Sequence, residues 1–294
     1  MKPWKLLTFI LVGICGVMMA VFASIVTMAR PETMHAPARL EGIFWQPDQL
    51  SSPSGAWDLL GIHTFVTQWS VVDNKAWMSS IPDMDTWADL PDWQKVQRQR
   101  WAQHIVLGLA GAYKETDARE NLQVLVKQSQ QLLRDPLEVQ ASDYYFPVEA
   151  DPSWSGVYEL GHVLANFNRP IWVSIYSADP QAQNLDLWLS DWLPSNAKVF
   201  FQDGVGVGTR TPEQAAIIYQ RLVQRFGTQR VVIILEAFRH KRDGSFRAAY
   251  PWELIAQLKA YEGQRVYIFD GPHYLNRASV YWLYTWMHLH YAKL

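Results

Sequence analysis

From Leu40 to the C-terminus, short apolar runs rich in β-branched and aromatic residues alternate with stretches of helical period, eight times over. Strands separated in this way by helical crossovers form a parallel sheet. Eight such units with no charge-rich linker predict closure into a (β/α)8, or TIM, barrel rather than an open sheet. The strand candidates are Leu40 to Pro47 (LEGIFWQP), Gly61 to Ser70 (GIHTFVTQWS), His104 to Ala112 (HIVLGLAGA), Asp143 to Asp151 (DYYFPVEAD), Pro170 to Ser177 (PIWVSIYS), Lys198 to Asp203 (KVFFQD), Arg230 to Phe238 (RVVIILEAF) and Arg265 to Asp270 (RVYIFD). The helices between them are equally legible. After the sixth strand, Thr211 is placed as an N-cap with Pro212 at the first helical position and Gln214 completing a capping box, and Gly227 ends that helix.

The N-terminus follows a different rule. Lys2 and Lys5 precede an apolar run of about 24 residues, Leu6 to Ala29, with no charge until Arg30. Such a run directs a chain into or across a membrane, either as a cleaved signal peptide or as a retained anchor. The lysines before it place the N-terminus in the cytoplasm and the rest outside. The chain therefore divides into residues 1–30 (signal or anchor), 31–39 (linker) and 40–294 (barrel). The expected location is the periplasm, the medium, or the periplasmic face of the inner membrane. Cys15 lies inside the apolar run, so the barrel has no disulfide and depends on its core alone.

Composition excludes some partners and favours others. With 26 Lys and Arg against 28 Asp and Glu, and no basic run, the electrostatic footprint of a nucleic-acid binder is missing. The 15 Trp and 13 Tyr exceed ordinary packing needs, and aromatic faces suit sugar rings. A poly- or oligosaccharide is the expected ligand.

In a barrel of this kind, catalytic groups stand where strands run into the following loops. Four carboxylates meet that condition: Glu149 on strand 4, Asp203 on strand 6, Glu236 on strand 7 and Asp270 on strand 8. Alternation puts Glu236 on one face with Ile234 and Val232, and Glu149 with Pro147 and Tyr145. If those faces look inward, two glutamates meet across the mouth, as glycosidic cleavage requires. Trp45, Gln46, Gln68, Trp69, Trp154 and Tyr176 are the expected substrate holders, with Asp203 and Asp270 as hydrogen-bonding or pKa-setting neighbours. The segment DGVGVGTRT lacks the lysine of a phosphate loop and is better read as a tight turn holding Asp203. His63, His104, His162, His240 and His273 show no metal-ligand spacing, so neither metal nor other cofactor is implied. The long segment from Val72 to Pro91 is expected to cover the site.

Together, GIFWQP, TQWS, FPVEADPSW, FQDGVGVG, ILEAF and IFDGPHY resemble the DUF4434 family of bacterial glycoside-hydrolase-like barrels. That resemblance spans nearly all of the chain after Leu40 and implies a TIM barrel with glycosidase activity. A looser similarity joins Glu149 and Glu236 to the acid/base and nucleophile of retaining glycosidases with glutamates on strands 4 and 7. Val148 stands where that clan usually has Asn. Two functions follow: an extracytoplasmic glycoside hydrolase with Glu149 as acid/base and Glu236 as nucleophile, or a non-catalytic glycan-binding barrel in exopolysaccharide export or assembly. In the first, the two carboxyls are expected about 5–5.5 Å apart, with the higher pKa on Glu149 and Glu236 charged.

Residues 1–30 are expected to export the barrel. Alkaline phosphatase fused after Leu294 should be active in a bacterial host; an inactive fusion, with a cytoplasmic reporter active at the same position, reverses the topology.

Overall fold

A computed structural model describes residues 36–291. Eight parallel strands close into a barrel: β1 (Arg39–Trp45), β2 (Thr64–Thr67), β3 (His104–Gly108), β4 (Asp143–Ala150), β5 (Ile171–Ile175), β6 (Ala197–Gln202), β7 (Val231–Glu236) and β8 (Arg265–Phe269). They stand in chain order around the barrel, and β8 closes on β1 with Arg39 opposite Arg265 and Ile43 opposite Ile268. All eight expected strands form, shortened where the chain turns into loops. Around them lie α1 (Trp93–Gln97), α2 (Glu115–Glu120), α3 (Leu122–Leu132), α4 (Val157–Ala165), α5 (Leu185–Trp192), α6 (Pro212–Phe226), α7 (Pro251–Ala260), α8 (Gly271–Tyr274) and α9 (Arg277–Tyr291). After β1 a single 3-10 turn, Trp57–Leu60, stands in the helix position.

The strands are apolar on both faces because each face has its own core. One set of side chains fills the barrel: Phe44, Val66, Val106, Tyr145, Trp172, Phe200, Val232, Ile234 and Tyr267. Phe200 is at its centre, stacked 4.3 Å from Trp172 and edge-on to Phe44 at 5.0 Å and Tyr145 at 5.6 Å. Gly42 makes room for Tyr267, since a Cβ there would lie 2.4 Å from the ring. The alternate set, including Ile43, Phe65, Val199 and Ile233, packs outward against helix residues such as Leu222, Leu254 and Leu283. Helix ends are closed as the sequence anticipates. Thr211 Oγ1 accepts from the Gln214 amide at 3.3 Å, Gln214 Oε1 accepts from the Thr211 amide at 2.9 Å, and Gly227 at φ 84° ends α6.

Two expectations change here. The segment from Val72 to Pro91 does not cover the mouth; none of it lines the cavity between the glutamates. Val71–Val72 pairs with Lys75–Ala76 and with Ala110–Gly111, and Trp77, buried beyond, packs on the outward face of β1. Trp45 is part of the same cluster, within 6.3 Å of the rings of Phe65, Trp77 and Trp93 and only 1% exposed. Its odd position on β1 turns it away from the barrel interior that Phe44 enters, so it is a core residue and not a sugar platform.

The signal or anchor assigned to residues 1–30 lies outside the described residues, and so does most of the 31–39 linker. Among the described residues no helix is long and apolar enough to cross a membrane.

Trp45→Ala is expected to destabilise the domain by about 3–5 kcal/mol, the usual cost of emptying a buried aromatic site. Denaturant unfolding monitored by circular dichroism measures it.

Candidate active site

The alternation that fills the barrel continues to the strand ends and sorts the polar residues there. Phe44, Gln68, Glu149, Ser174, Gln202, Ile234, Glu236 and Phe269 extend from the strands or their ends and, with Val207 and Phe238 from the loops, line a cavity of about 110 Å3. Glu149 and Glu236 thus face one space, as their parity predicted. A larger groove of about 590 Å3 runs between residues 52–55, α1 and residues 272–277. Its one carboxylate, Asp92, caps α1 by accepting from the Lys95 amide at 2.9 Å, so the groove carries no comparable acid pair.

Glu149 is half-buried at the end of β4, and its Oε1 accepts from the Gln202 side-chain amide at 2.8 Å. Burial, followed by the negative charge of Glu115, pushes its carboxyl up to about 7. Glu236 is 4% exposed, and its Oε2 accepts from the backbone amides of Gly206 at 2.7 Å and Val207 at 3.2 Å. Burial, and then the adjoining carboxylate of Asp203, raise it as well. The expected division into a protonated Glu149 and an easily ionised Glu236 is therefore not built into the site: both acids are disfavoured as anions.

The glycine-rich segment explains how Glu236 is held. A Cβ at Gly206 would lie 2.8 Å from Glu236 Cβ and from the Phe238 carbonyl oxygen, so only glycine lets this loop's amides reach the carboxylate. The turn also holds Asp203, whose Oδ1 accepts from the Val205 amide at 3.0 Å.

Asp203 and Asp270, expected to touch substrate, stand on the opposite parity and do not line the cavity. Asp203 is fully buried beneath Glu236, and its Oδ2 accepts from Gln257 Nε2 at 2.7 Å and Tyr261 Oη at 2.8 Å. It acts on Glu236 through its field. Asp270, 1% exposed, accepts from the Gln46 amide at 2.8 Å and bonds His273 Nδ1 at 2.8 Å, while His273 Nε2 meets Asp48 at 3.0 Å. Those two acids, chiefly the hydrogen bond to Asp270, push His273 up to about 9. The array ties the β1 loop to α8, and Gln46 takes part in it through its backbone.

Of the other expected holders, Gln68 reaches the cavity. Trp69 does not, being 2% exposed and set edge-on to Tyr113 at 5.0 Å. Trp154 and Tyr176 are half-buried beside a cluster that sequence reasoning missed, made of Glu115, Arg119 and Asp151. Arg119 lies over the Trp154 ring at 4.8 Å, and the Tyr176 hydroxyl donates to Glu115 at 3.4 Å. Gln202 and Ser174 were missed too, although their parity with Phe200 and Trp172 placed them inward. No group of three His, Cys, Asp or Glu side chains among the described residues could hold a metal ion.

The chain is similar in fold to the crystal structure of a "putative alpha-L-fucosidase" from Bacteroides thetaiotaomicron, with a TM-score of 0.60 and 12% identity over 89% of this chain and 98% of that one. That likeness is one of fold, the closed eight-stranded parallel barrel with its surrounding helices. No family model matches the chain, and no curated protein matches it.

A carboxyl whose pKa rises on folding, as that of Glu149 does from 4.5 to about 7, favours the folded state below pH 4.5 and loses that contribution as pH climbs through 7. Glu149→Gln should therefore stabilise the domain at pH 8, by on the order of 2 kcal/mol, and give no gain at pH 4. Parallel urea titrations at the two pH values read the difference.

Proposed function

We propose that the barrel is a glycoside hydrolase that cleaves a bacterial poly- or oligosaccharide outside the cytoplasm. The observation that carries the reading is the pair Glu149 and Glu236, aimed into one cavity from strands 4 and 7, with both anions disfavoured by burial. With both carboxyls raised, the state in which Glu149 is protonated and Glu236 ionised provides both a general acid and a carboxylate. At about 110 Å3 the cavity is well below the roughly 300–1,000 Å3 of ordinary ligand sites, so it suits one sugar unit. The remaining chain then lies across the open mouth, towards Trp154 and Tyr176.

Protonated Glu149 gives its proton to the glycosidic oxygen as the bond to the anomeric carbon breaks. The two backbone amides hold Glu236 Oε2, which leaves Oε1 to attack that carbon and form a glycosyl ester. Positive charge developing on the sugar ring stabilises the Glu236 anion, the same anion that burial and Asp203 disfavour. Glu149, now ionised, takes a proton from water; the water oxygen attacks the anomeric carbon, and the Glu236 carboxylate leaves. The motif likeness to the DUF4434 barrels and the glycosidase-like fold support the same chemistry. Export rests on the apolar run at residues 6–29.

Incubation with a panel of bacterial exopolysaccharides should release new reducing ends. Glu236→Gln should reduce turnover by ~1,000-fold or more, and Glu149→Gln by ~100- to 10,000-fold on substrates with poor leaving groups. Activity should fall as pH rises above about 7, where Glu149 loses its proton. Proton NMR of the first-formed product should show retained anomeric configuration. Tight glycan binding with no bond cleavage on any polymer would leave the non-catalytic export barrel in its place.

A further inference from the structure

We propose that Glu115 is a positioning residue that keeps the acidic proton on Glu149 by occupying the one guanidinium beside it; the proposal rests on the two-carboxylate function above. Arg119, on the same short helix, contacts Glu149 closely but only at its backbone. Its Nε and Nη2 donate to the Glu149 carbonyl oxygen at 3.2 and 3.0 Å. The same Nη2 also meets Asp151 at 2.5 Å and Glu115, so one cation is shared by two carboxylates. Asp151 is firmly charged: against its burial, Ser153 and Arg119 hold its carboxyl below the ordinary range. The cluster therefore carries surplus negative charge next to Glu149 and has no free cation to offer it.

Other groups around Glu149 supply no positive charge either. Gln202 is a neutral donor, Tyr145 and Tyr176 are un-ionised near neutrality, and Glu236 adds a second negative charge from across the cavity. The two acids differ in their neighbours. Glu236 receives two backbone amides, which favour its anion, but burial and the adjoining Asp203 carboxylate outweigh them, whereas the charge acting on Glu149 is the surplus that Glu115 creates. Glu115 thus raises the proton affinity of the strand 4 acid by a route that does not involve Glu236.

The test requires no substrate. In protein labelled at the glutamate carboxyl carbons, the Glu149 resonance, identified by its loss in Glu149→Gln, is followed against pH. Glu115→Gln should lower its midpoint by on the order of one pH unit, since a neutral amide leaves Arg119 paired with Asp151 alone. Glu115→Lys should lower it further, and Glu115→Asp, which keeps the charge, should return it towards the wild-type value. With a cleaved substrate in hand, the alkaline limb of the pH–rate profile should move down by the same interval. A Glu149 midpoint that is unmoved or raised in both the Gln and the Lys variants overturns the proposal. Failure of the glycosidase reading would appear separately, as polymers left uncut by a wild-type protein whose titration behaves as described.

Discussion

Closure of β8 onto β1 is the constraint from which the site follows. A sheet closed on itself has one interior, and each strand can send only alternate residues into it. Once Phe44, Tyr145, Phe200, Ile234 and Tyr267 are packed there, the positions two or more residues further along the same strands are committed. Gln202, Glu149 and Glu236 reach the mouth because their strands carry large apolar side chains at the positions below. Their neighbours Asp203 and Asp270, polar and at the strand ends as well, point into the outer layer for the same reason. A slip of one residue in any strand would exchange the two sets.

Holding acids in so enclosed a place requires compensation, and α7 supplies much of it. Gln257 and Tyr261, one turn apart, both donate to Asp203, which in turn faces the backbone amide of Glu236 at 3.4 Å. Above them the loop from Gly204 to Gly206 turns tightly enough to offer amides to both acids. Burial still wins at Glu236, whose carboxyl stays raised despite those donors. Carboxyls kept away from their ordinary ionisation are what acid–base chemistry near neutrality calls for, and they cost the fold some stability at that pH.

The tryptophan content has two explanations in this molecule. Nine tryptophans among the described residues are buried: Trp45 packs with Phe65, Trp77 and Trp93, and at the 3-10 turn that stands in for a helix Trp57 packs on Trp101, which also meets Phe65. Large rings fill the gap a short element leaves. The aromatic surface near the glutamates is smaller: Phe44, Phe238 and Phe269 at the cavity, with Trp154 and Tyr176 beside Arg119. The neutral polar lining of the cavity is Gln68, Gln202 and Ser174.

The sequence by itself determined the number of strands, their order, the capping of α6 and the inward face of Glu149 and Glu236, because each depends on a period or a local hydrogen bond readable along the chain. It could not separate Trp45 and Trp69 from true site residues, since a ring at a strand end looks the same whether the outer layer or the mouth takes it. With Phe44 and Gln68 facing inward, alternation turns both rings to the outer layer. The placement of Glu115 and Arg119 beside Glu149 was beyond any local pattern. Those residues are about thirty positions apart in the chain, and only the docking of α2 against β4 brings the guanidinium to the Glu149 carbonyl. The raised carboxyl of Glu236 was likewise a tertiary outcome, because its burial and the field of Asp203 arise only when β6, β7 and α7 are packed together.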